Sequence, residues 1–228
     1  MKILNVLALL LVTGCVLAQE SPVLKTQQDK INYGIGVGVA RNFKNQGLEV
    51  DLDMVIRGMR DTLSGAQLLM TEEDLAKTMF AFQQEMQQKM AQARKLAAEN
   101  NKKEGDAFLA ENAKKEGVTV LPSGLQYKIL KAGDGKIPAG TDSVECNYIG
   151  TFIDGTEFDN SYKSGKPLTL KIQGGVIPGW SEVLKLMPVG SKWRVFIPSQ
   201  LAYGERGAGS QIGPDQTLIF EIELLAIK

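Results

Sequence analysis

The stretch VIPGWSEVL (residues 176–184) places a tryptophan, Trp180, directly after a Pro-Gly pair that favours a turn. Two more stretches with turn signals and aromatic residues lie on either side of it, NYIGTFIDGTEFDNS (residues 147–161) and LAYGERGAG (residues 201–209). With one later position they supply five aromatic side chains: Tyr148, Phe158, Trp180, Tyr203 and Phe220. This part of the sequence contains no histidine and no pair of cysteines. The pattern therefore predicts an apolar cup rather than a site for acid–base or metal chemistry.

The sequence around these stretches alternates apolar and polar residues between turn signals. The alternating runs are LQYKILKAG, DSVECNYIGTFIDGTEFDN, LTLKI, KWRVFIP and TLIFEIELLAIK. The pair Asp154-Gly155 between two such runs predicts a hairpin. Only one short helix fits, near residues 179–186. We therefore predict an α+β domain at residues 117–228, in which an antiparallel sheet wraps over one short helix.

The composition of the whole chain excludes several classes of function. The 228 residues are 43% hydrophobic and 23% charged, which is ordinary for a globular protein and allows two small domains. The formal net charge is +0, so nothing in the charge balance favours nucleic acid as a partner. The chain has no histidine, which removes the usual general base and the commonest metal ligand. We expect neither a metal nor a cofactor.

Residues 1–18 are predicted to be a signal peptide. Lys2 precedes a mostly apolar run that is too short to span a bilayer as a helix. Two processing routes fit the sequence. The small residues before Gln19 suit ordinary signal peptidase, whereas the preceding sequence VTGC resembles a bacterial lipobox, in which Cys15 would carry a lipid anchor. Either route exports the protein, to the periplasm or to a position associated with the outer membrane.

Cys146 is the one cysteine that remains in the mature chain by either route, and a lone cysteine cannot form an internal disulfide. Val144 and Tyr148 would share its side of a strand. We therefore predict a half-buried structural thiol at this position.

Residues 19–70 carry the pattern of helices separated by short breaks. A first helix has apolar residues four positions apart, at Ile31, Ile35, Val39 and Phe43. Gly47 is expected to end it. The stretch LDMVIRGMRDTLSG repeats apolar residues at three and four positions, and Gly65 is expected to stop this second helix. Such a region has little core of its own, so we predict that it dimerises.

A third helix is predicted over residues 71–116. Thr71 begins it like a capping box, because its side chain can accept a hydrogen bond from the amide of Asp74. Its first half has an apolar seam, whereas polar and charged residues dominate beyond residue 97, so we expect the second half to cross solvent as a spacer, weakened at Gly105. Six of the eight methionines lie in the segment from Met54 to Met90, which suggests a dimer interface or an adaptable surface for unfolded chains.

Four ordered motifs resemble those of the FKBP-type peptidyl-prolyl isomerase family. They are YIGTFIDGTEFDNS, VIPGWSEVL, VGSKWRVFIPSQLAYG and TLIFEIELL, and the resemblance covers residues 118–228. The helical front half is similar to the N-terminal dimerisation region of the macrophage-infectivity-potentiator type and its periplasmic chaperone relatives, above all in NQGLEVDLDMVIRGMRDTLSG. The resemblance implies an isomerase domain preceded by an all-α dimerisation region and a long connecting helix.

The resemblance also implies a substrate pocket. Its catalytic residues would be Asp159, Tyr203 and Trp180, and its further binding residues would be Tyr148, Phe158, Val176, Ile177, Ile212 and Phe220. In the family, the residue at the position of Trp180 forms the floor, and the one at Ile177 offers its backbone N–H to a bound carbonyl. Tyr203 would offer its hydroxyl. Leu168 stands where the family often has an aromatic residue, so this wall of the pocket is less aromatic here.

Two functions follow as expectations. The first is a peptidyl-prolyl cis-trans isomerase that accelerates the folding of exported polypeptides, with the N-terminal helices forming a homodimer. It would need no nucleophile, because a dry aromatic cup favours the twisted amide over the planar one. The alternative is an ATP-independent holding chaperone, in which the methionine-rich region does the main binding and isomerisation is secondary.

Overall fold

The computed structural model describes residues 24–228 and divides between Leu75 and Ala76 into two compact units. The first contains helices α1 (Gln27–Asn45) and α2 (Leu52–Ser64) and the beginning of helix α3 (Glu72–Asn112). The second contains the rest of α3 and a seven-stranded sheet. The signal peptide and the lipidation site predicted at Cys15 lie outside the described residues. Within residues 24–228, no helix is long and apolar enough to cross a membrane.

The three helices begin and end at residues suited to those positions. Thr26 and Asp29 form a capping box at the start of α1, and Asp51 accepts two backbone N–H groups at the start of α2. Gly65 ends α2 in the left-handed conformation, at φ 67°, as the sequence predicts. The expected cap of α3 is also confirmed, because the Asp74 amide donates to the Thr71 hydroxyl over 3.1 Å.

Helices α1 and α2 have almost no core of their own. No residue of α1 is buried, and the one buried residue of α2 is Asp61, whose carboxylate pairs with Arg57. Large apolar side chains point into solvent instead, among them Ile35, Met54 and Leu63. Since isolated helices of this length are marginally stable in water, these apolar faces call for a covering partner.

The second half of α3 is not a spacer through solvent, and the helix is not interrupted at Gly105. Gly105, Leu109 and Asn112 are buried against the sheet domain. Asn112 donates to the Gln126 side chain over 3.0 Å, and Gln126 donates to the Leu109 carbonyl over 2.9 Å. The expectation was wrong because Asn101 and Asn112 make hydrogen bonds to the sheet domain, although the charged residues between them remain exposed.

The sheet confirms the predicted antiparallel architecture. Its strands are β1 (Val118–Val120), β2 (Gln126–Lys131), β3 (Ser143–Thr151), β4 (Glu157–Asn160), β5 (Leu168–Lys171), β6 (Lys192–Ile197) and β7 (Leu218–Ile227). Their order is β1-β2-β6-β7-β3-β4, and β5 pairs with the first half of β3. The hairpin expected at Asp154-Gly155 joins β3 to β4, with Gly155 at φ 88°.

Short helices lie beside the strands. Helix α5 (Pro178–Leu184) is the one the sequence predicts, and Trp180, Val183 and Leu184 bury its inner side. A one-turn helix, α4 (Ser161–Ser164), was not expected; the Asn160 side chain caps it. Alternate residues of β7 face α5 and form the core: Leu218, Phe220, Ile222 and Leu224. This alternation fixes which face of the sheet carries the cup.

Cys146 lies in this core and is fully buried, not half-buried as expected. Burial raises the pKa of its thiol to about 12, with a further contribution from the nearby negative charge of Glu145. The thiol therefore stays protonated at neutral pH, which supports a structural role rather than a reactive one.

Candidate active site

One cavity of about 120 Å³ opens between the sheet and α5. The residues that line it are Tyr148, Phe158, Asp159, Leu168, Val176, Ile177, Trp180, Tyr203 and Phe220. They come from β3, β4, β5, the segment that leads into α5, α5 itself, the loop after β6, and β7. The structure thus brings together eight of the nine residues singled out in the sequence, and Leu168 forms part of a wall, as the resemblance implied.

Trp180 forms the floor of the cavity and is 4% exposed. Its ring meets the rings of Tyr148 and Phe220 edge to face, at centroid distances of 5.2 and 5.3 Å and interplanar angles of 86° and 88°. Such T-shaped contacts fix the orientation of aromatic rings because the positive edge of one ring meets the negative face of the other. The floor is therefore rigid and apolar.

Phe220 and Phe158 continue the aromatic surface, and Gly150 lies directly behind them. Phe158 and Phe220 meet edge to face at 5.6 Å and 88°. A Cβ atom at position 150 would lie 2.7 Å from the Phe158 ring and 3.0 Å from the Phe220 ring. The close packing of both rings therefore requires glycine at this position, a requirement that the sequence analysis did not identify.

Replacing Gly150 with alanine is expected to displace both rings and to lower kcat/KM for a prolyl peptide about tenfold, with a loss of about 1–3 kcal/mol in unfolding free energy from overpacking. Peptide isomerisation and chemical denaturation would be measured on the same preparations. Gly58→Ala is the control, because a Cβ there meets open space inside a helix. Unchanged activity in Gly150→Ala would contradict the proposed role of the two rings.

The rim of the cavity carries a polar pair. The Tyr148 hydroxyl donates to Asp159 Oδ2 over 2.5 Å, and the Asn160 amide donates to Asp159 Oδ1 over 2.8 Å. Burial raises the pKa of Tyr148 well above its usual range, and the hydrogen bond to Asp159 and the charge of that carboxylate raise it further. Asp159 thus holds the Tyr148 ring in place and also accepts the backbone N–H of Asn160, the residue that caps α4.

Several hydrogen-bond donors at the cavity, the indole N–H of Trp180 among them, have no acceptor within residues 24–228, and two of these lie at positions that the family resemblance assigns to peptide binding. The Tyr203 hydroxyl is one, and burial followed by the charge of Asp159 raises the pKa of this phenol, so it remains a donor at neutral pH. The backbone N–H of Ile177 is the other, at the position that precedes the first turn of α5. Both can donate to a carbonyl oxygen of a bound peptide.

Ile212 is the exception among the nine residues, because it does not line the cavity. It lies in the loop between β6 and β7, where its backbone pairs with that of Ala208 through hydrogen bonds of 2.9 and 3.1 Å. Its side chain is partly buried against the core. The short bridge to Ala208 fixes the backbone of Ile212 within this loop.

A larger cavity of about 490 Å³ lies on the opposite face of the sheet, beside the end of α3. Its basic side chains are already engaged: Lys115 lies over the Phe108 ring, Lys128 donates to the Glu116 carbonyl, and Arg194 pairs with Glu221. The smaller cavity combines an aromatic floor with free donors, so it is the better candidate for chemistry on a peptide. In the described part of the chain, no cluster of His, Cys, Asp or Glu could hold a metal ion.

An antiparallel sheet wrapped on one short helix, with an aromatic cup between them, defines the class of protein: the chain belongs to the FKBP-type peptidyl-prolyl cis-trans isomerases. The family model of that description matches residues 135–225, and the model of the domain amino-terminal to it matches residues 28–129. The chain is 47% identical over 211 residues to the protein named Outer membrane protein MIP of Legionella longbeachae, which covers 92% of this chain and 90% of that protein.

Other relatives also match over most of both lengths. The FKBP-type 22 kDa peptidyl-prolyl cis-trans isomerase of Escherichia coli is 42% identical over 91% of this chain and 98% of its own length. Among solved structures, FkpA from Escherichia coli superposes with a TM-score of 0.69 at 35% identity, covering 90% of this chain and 99% of that one. These likenesses span both units, so the resemblance inferred from the sequence is confirmed and the protein is a peptidyl-prolyl cis-trans isomerase.

Proposed function

We propose that the cup formed around Trp180 is the catalytic site, and that this isomerase acts on X-Pro bonds of unfolded, exported polypeptides. The observation that carries the proposal is that a cavity of about 120 Å³ has an edge-to-face aromatic floor and is also lined by the Tyr203 hydroxyl and the Ile177 N–H, which have no acceptor among the described residues. A proline ring fits such an apolar cup, and the carbonyl beside it fits the donors.

Catalysis by this site follows from the electronics of the amide. The planar X-Pro amide is stabilised by resonance, which places negative charge on oxygen, and water solvates that charge. A dry cup withdraws the water and so favours the twisted amide, in which the nitrogen is no longer conjugated. Donors such as Ile177 N–H and Tyr203 O–H orient the chain without transferring a proton. Tighter binding of the twisted than of the planar form is sufficient for rate acceleration.

The roles of the rim residues are tested by exchange of a Leu-Pro tetrapeptide. We expect Tyr203→Phe to lower kcat/KM about threefold to tenfold through loss of one hydrogen bond, and Asp159→Ala about tenfold through release of the Tyr148 ring. Tyr162→Phe is the matched control, because its phenol is similarly exposed, at 44% against 40%, but bonds to Glu223 away from the cavity. Equal losses in Tyr162→Phe and Tyr203→Phe would contradict a role for the Tyr203 hydroxyl in the cup.

We further propose that the N-terminal helices form a homodimer. The exposed apolar residues of α1 and α2, with no core beneath them in one chain, support this. A second copy presenting the same faces would bury them. Export to the periplasm, or attachment to the outer membrane through a lipid on Cys15, remains part of the proposal; a relative bears the name Outer membrane protein MIP.

The alternative function, a holding chaperone, rests on one specific feature of the first unit. A cavity of about 370 Å³ lies between α2 and the start of α3 and is lined by apolar residues that include Met54, Leu69 and Met70. Methionine side chains adapt to irregular apolar partners, so this surface suits an unfolded chain. It suits a second copy of the helices equally well, and a monomeric variant of the full chain separates the two cases.

A further inference from the structure

The loop that follows Tyr203 is attached to helix α3 at three points. One guanidinium nitrogen of Arg94 donates to the carbonyls of Glu205, over 3.0 Å, and Arg206, over 2.7 Å. Eight residues further along the loop, the Pro214 carbonyl accepts a hydrogen bond of 2.7 Å from the Asn101 side chain. These hydrogen bonds join residues more than a hundred positions apart.

The third attachment is a close approach of the backbone. A Cβ atom at Gly105 would collide with the hydroxyl of Thr217, so only glycine lets the helix lie this near to the end of the loop. Positions 94, 101 and 105 are separated by seven and four residues and so occupy one face of α3. The helix therefore presents a row of contacts to the loop between β6 and β7.

Hydrogen bonds close the base of the loop next to the cup, so a displacement of the loop also displaces the residues at the cup. The Asp215 amide donates to the Gly204 carbonyl over 2.9 Å, and the Ser199 hydroxyl donates to the Asp215 side chain over 3.2 Å. Asp215 itself has a φ of 52°, a conformation rare for a residue other than glycine. Tyr203 immediately precedes this closure, so the position of the loop sets the position of its phenol at the cavity.

We propose that Arg94 and Asn101 are positioning residues of the isomerase, which hold the loop of residues 204–215 and thereby fix Tyr203 at the rim of the cup. Both act through backbone carbonyls and neither touches the cavity. A charged donor that bridges two consecutive carbonyls restrains the direction of the chain there, because both acceptors must stay aligned with one nitrogen. The proposal rests on the assignment of the cup as the catalytic site.

The test compares pairs of variants of the full chain. Arg94→Met removes the donor and keeps the length of the side chain, and Lys95→Met makes the same change of charge at the next residue, which has no hydrogen bond to the loop. Asn101→Asp removes a donor at constant shape, and Asn100→Asp is its control. With a Leu-Pro tetrapeptide we expect kcat/KM to fall about fivefold in Arg94→Met and Asn101→Asp, and to stay within about twofold of wild type in the two controls. Arg94→Lys keeps a charged donor, so its kcat/KM should fall less than that of Arg94→Met.

A second readout separates positioning from general stability. Amide hydrogen exchange should accelerate in residues 204–215 of Arg94→Met and stay unchanged in β3 and β7, with the melting temperature nearly constant. Full activity with a loosened loop would overturn the proposal, and so would a loss of activity accompanied by faster exchange throughout the domain. Absence of isomerisation by folded wild-type protein would instead overturn the assignment of the cup, which is a different outcome.

Discussion

Replacing Trp180 with leucine is expected to lower kcat/KM for a prolyl tetrapeptide about a hundredfold, which corresponds to about 2.7 kcal/mol of transition-state stabilisation. The indole is the one ring that contacts both Tyr148 and Phe220 edge to face at the bottom of the cup. Leucine covers less area and leaves space beneath a bound proline. Water can then solvate the amide, which removes the preference for its twisted form.

Loss of a core tryptophan also costs stability, so the comparison needs a control of equal burial. Trp193 is 5% exposed against 4% for Trp180, and it stacks on Tyr127 away from the cavity, at a centroid distance of 4.4 Å. Trp193→Leu should lose a similar amount of stability, about 2–4 kcal/mol, and retain activity within about twofold. Equal losses of activity in the two variants, measured where both are folded, would mean that Trp180 acts only as core.

Removal of residues 19–75 is expected to separate peptide isomerisation from action on whole proteins. The fragment 76–228 should be monomeric and isomerise a tetrapeptide at the wild-type rate, yet catalyse the refolding of a proline-limited protein at least about tenfold less well. Two tethered cups rebind one chain at a high effective concentration, and a monomer loses this advantage. Sedimentation and refolding assays on equal concentrations of cups would measure both effects.

The structure specifies where this cut must fall. A cut at residue 115 would remove Leu109 and Asn112, which are buried against the sheet domain, and would leave Gln126 without its two partners. Such a fragment loses stability for reasons unrelated to dimerisation. The boundary between Leu75 and Ala76 keeps this part of α3 in place.

A point variant gives the same comparison in the full chain. Leu63 in α2 is 89% exposed, and Leu63→Glu should dissociate the dimer by placing charge in its interface. Ile129→Glu, at a half-exposed site in β2, is the control. A Leu63→Glu monomer with full refolding and holding activity would contradict the role of the dimer. If the fragment 76–228 still suppresses aggregation, the chaperone function cannot lie in the first unit.

Much of this fold could be predicted from the sequence because local signals are strong in it. The period of two in TLIFEIELL marks the face of β7 that becomes the core. Thr71 marks the start of a helix, Gly65 marks the end of another, and Asp154-Gly155 marks a hairpin. The aromatic pattern predicted an apolar cup from five side chains, whereas Asp159, Val176 and Ile177 could be assigned to it only through the resemblance to a family, since nothing in their spacing alone brings β3, β4, α5 and β7 together.

The docking of α3 could not be predicted, for a physical reason. Arg94 and Asn101 donate to backbone carbonyls, and any residue type presents such a carbonyl, so the acceptors leave no trace in the sequence. The run AENNKKEGD indicates a solvated helix because polar side chains are usually exposed. Gly105 was the available signal, and it marks a close approach to Thr217 rather than a weak point of the helix.

The most direct test of catalysis by a dry aromatic cup is the pH dependence of Leu-Pro tetrapeptide exchange by the wild-type protein, followed by NMR from about pH 6 to about pH 9. The chain has no histidine, and burial raises the pKa of Tyr148 and of Tyr203, so neither phenol of the cup should lose a proton in this range. We expect clear acceleration with a flat kcat/KM. A rate that rises or falls through one titration near neutral pH would show that an ionisable group takes part in catalysis, and absence of acceleration would show that the cup is not catalytic; either result would contradict catalysis by desolvation.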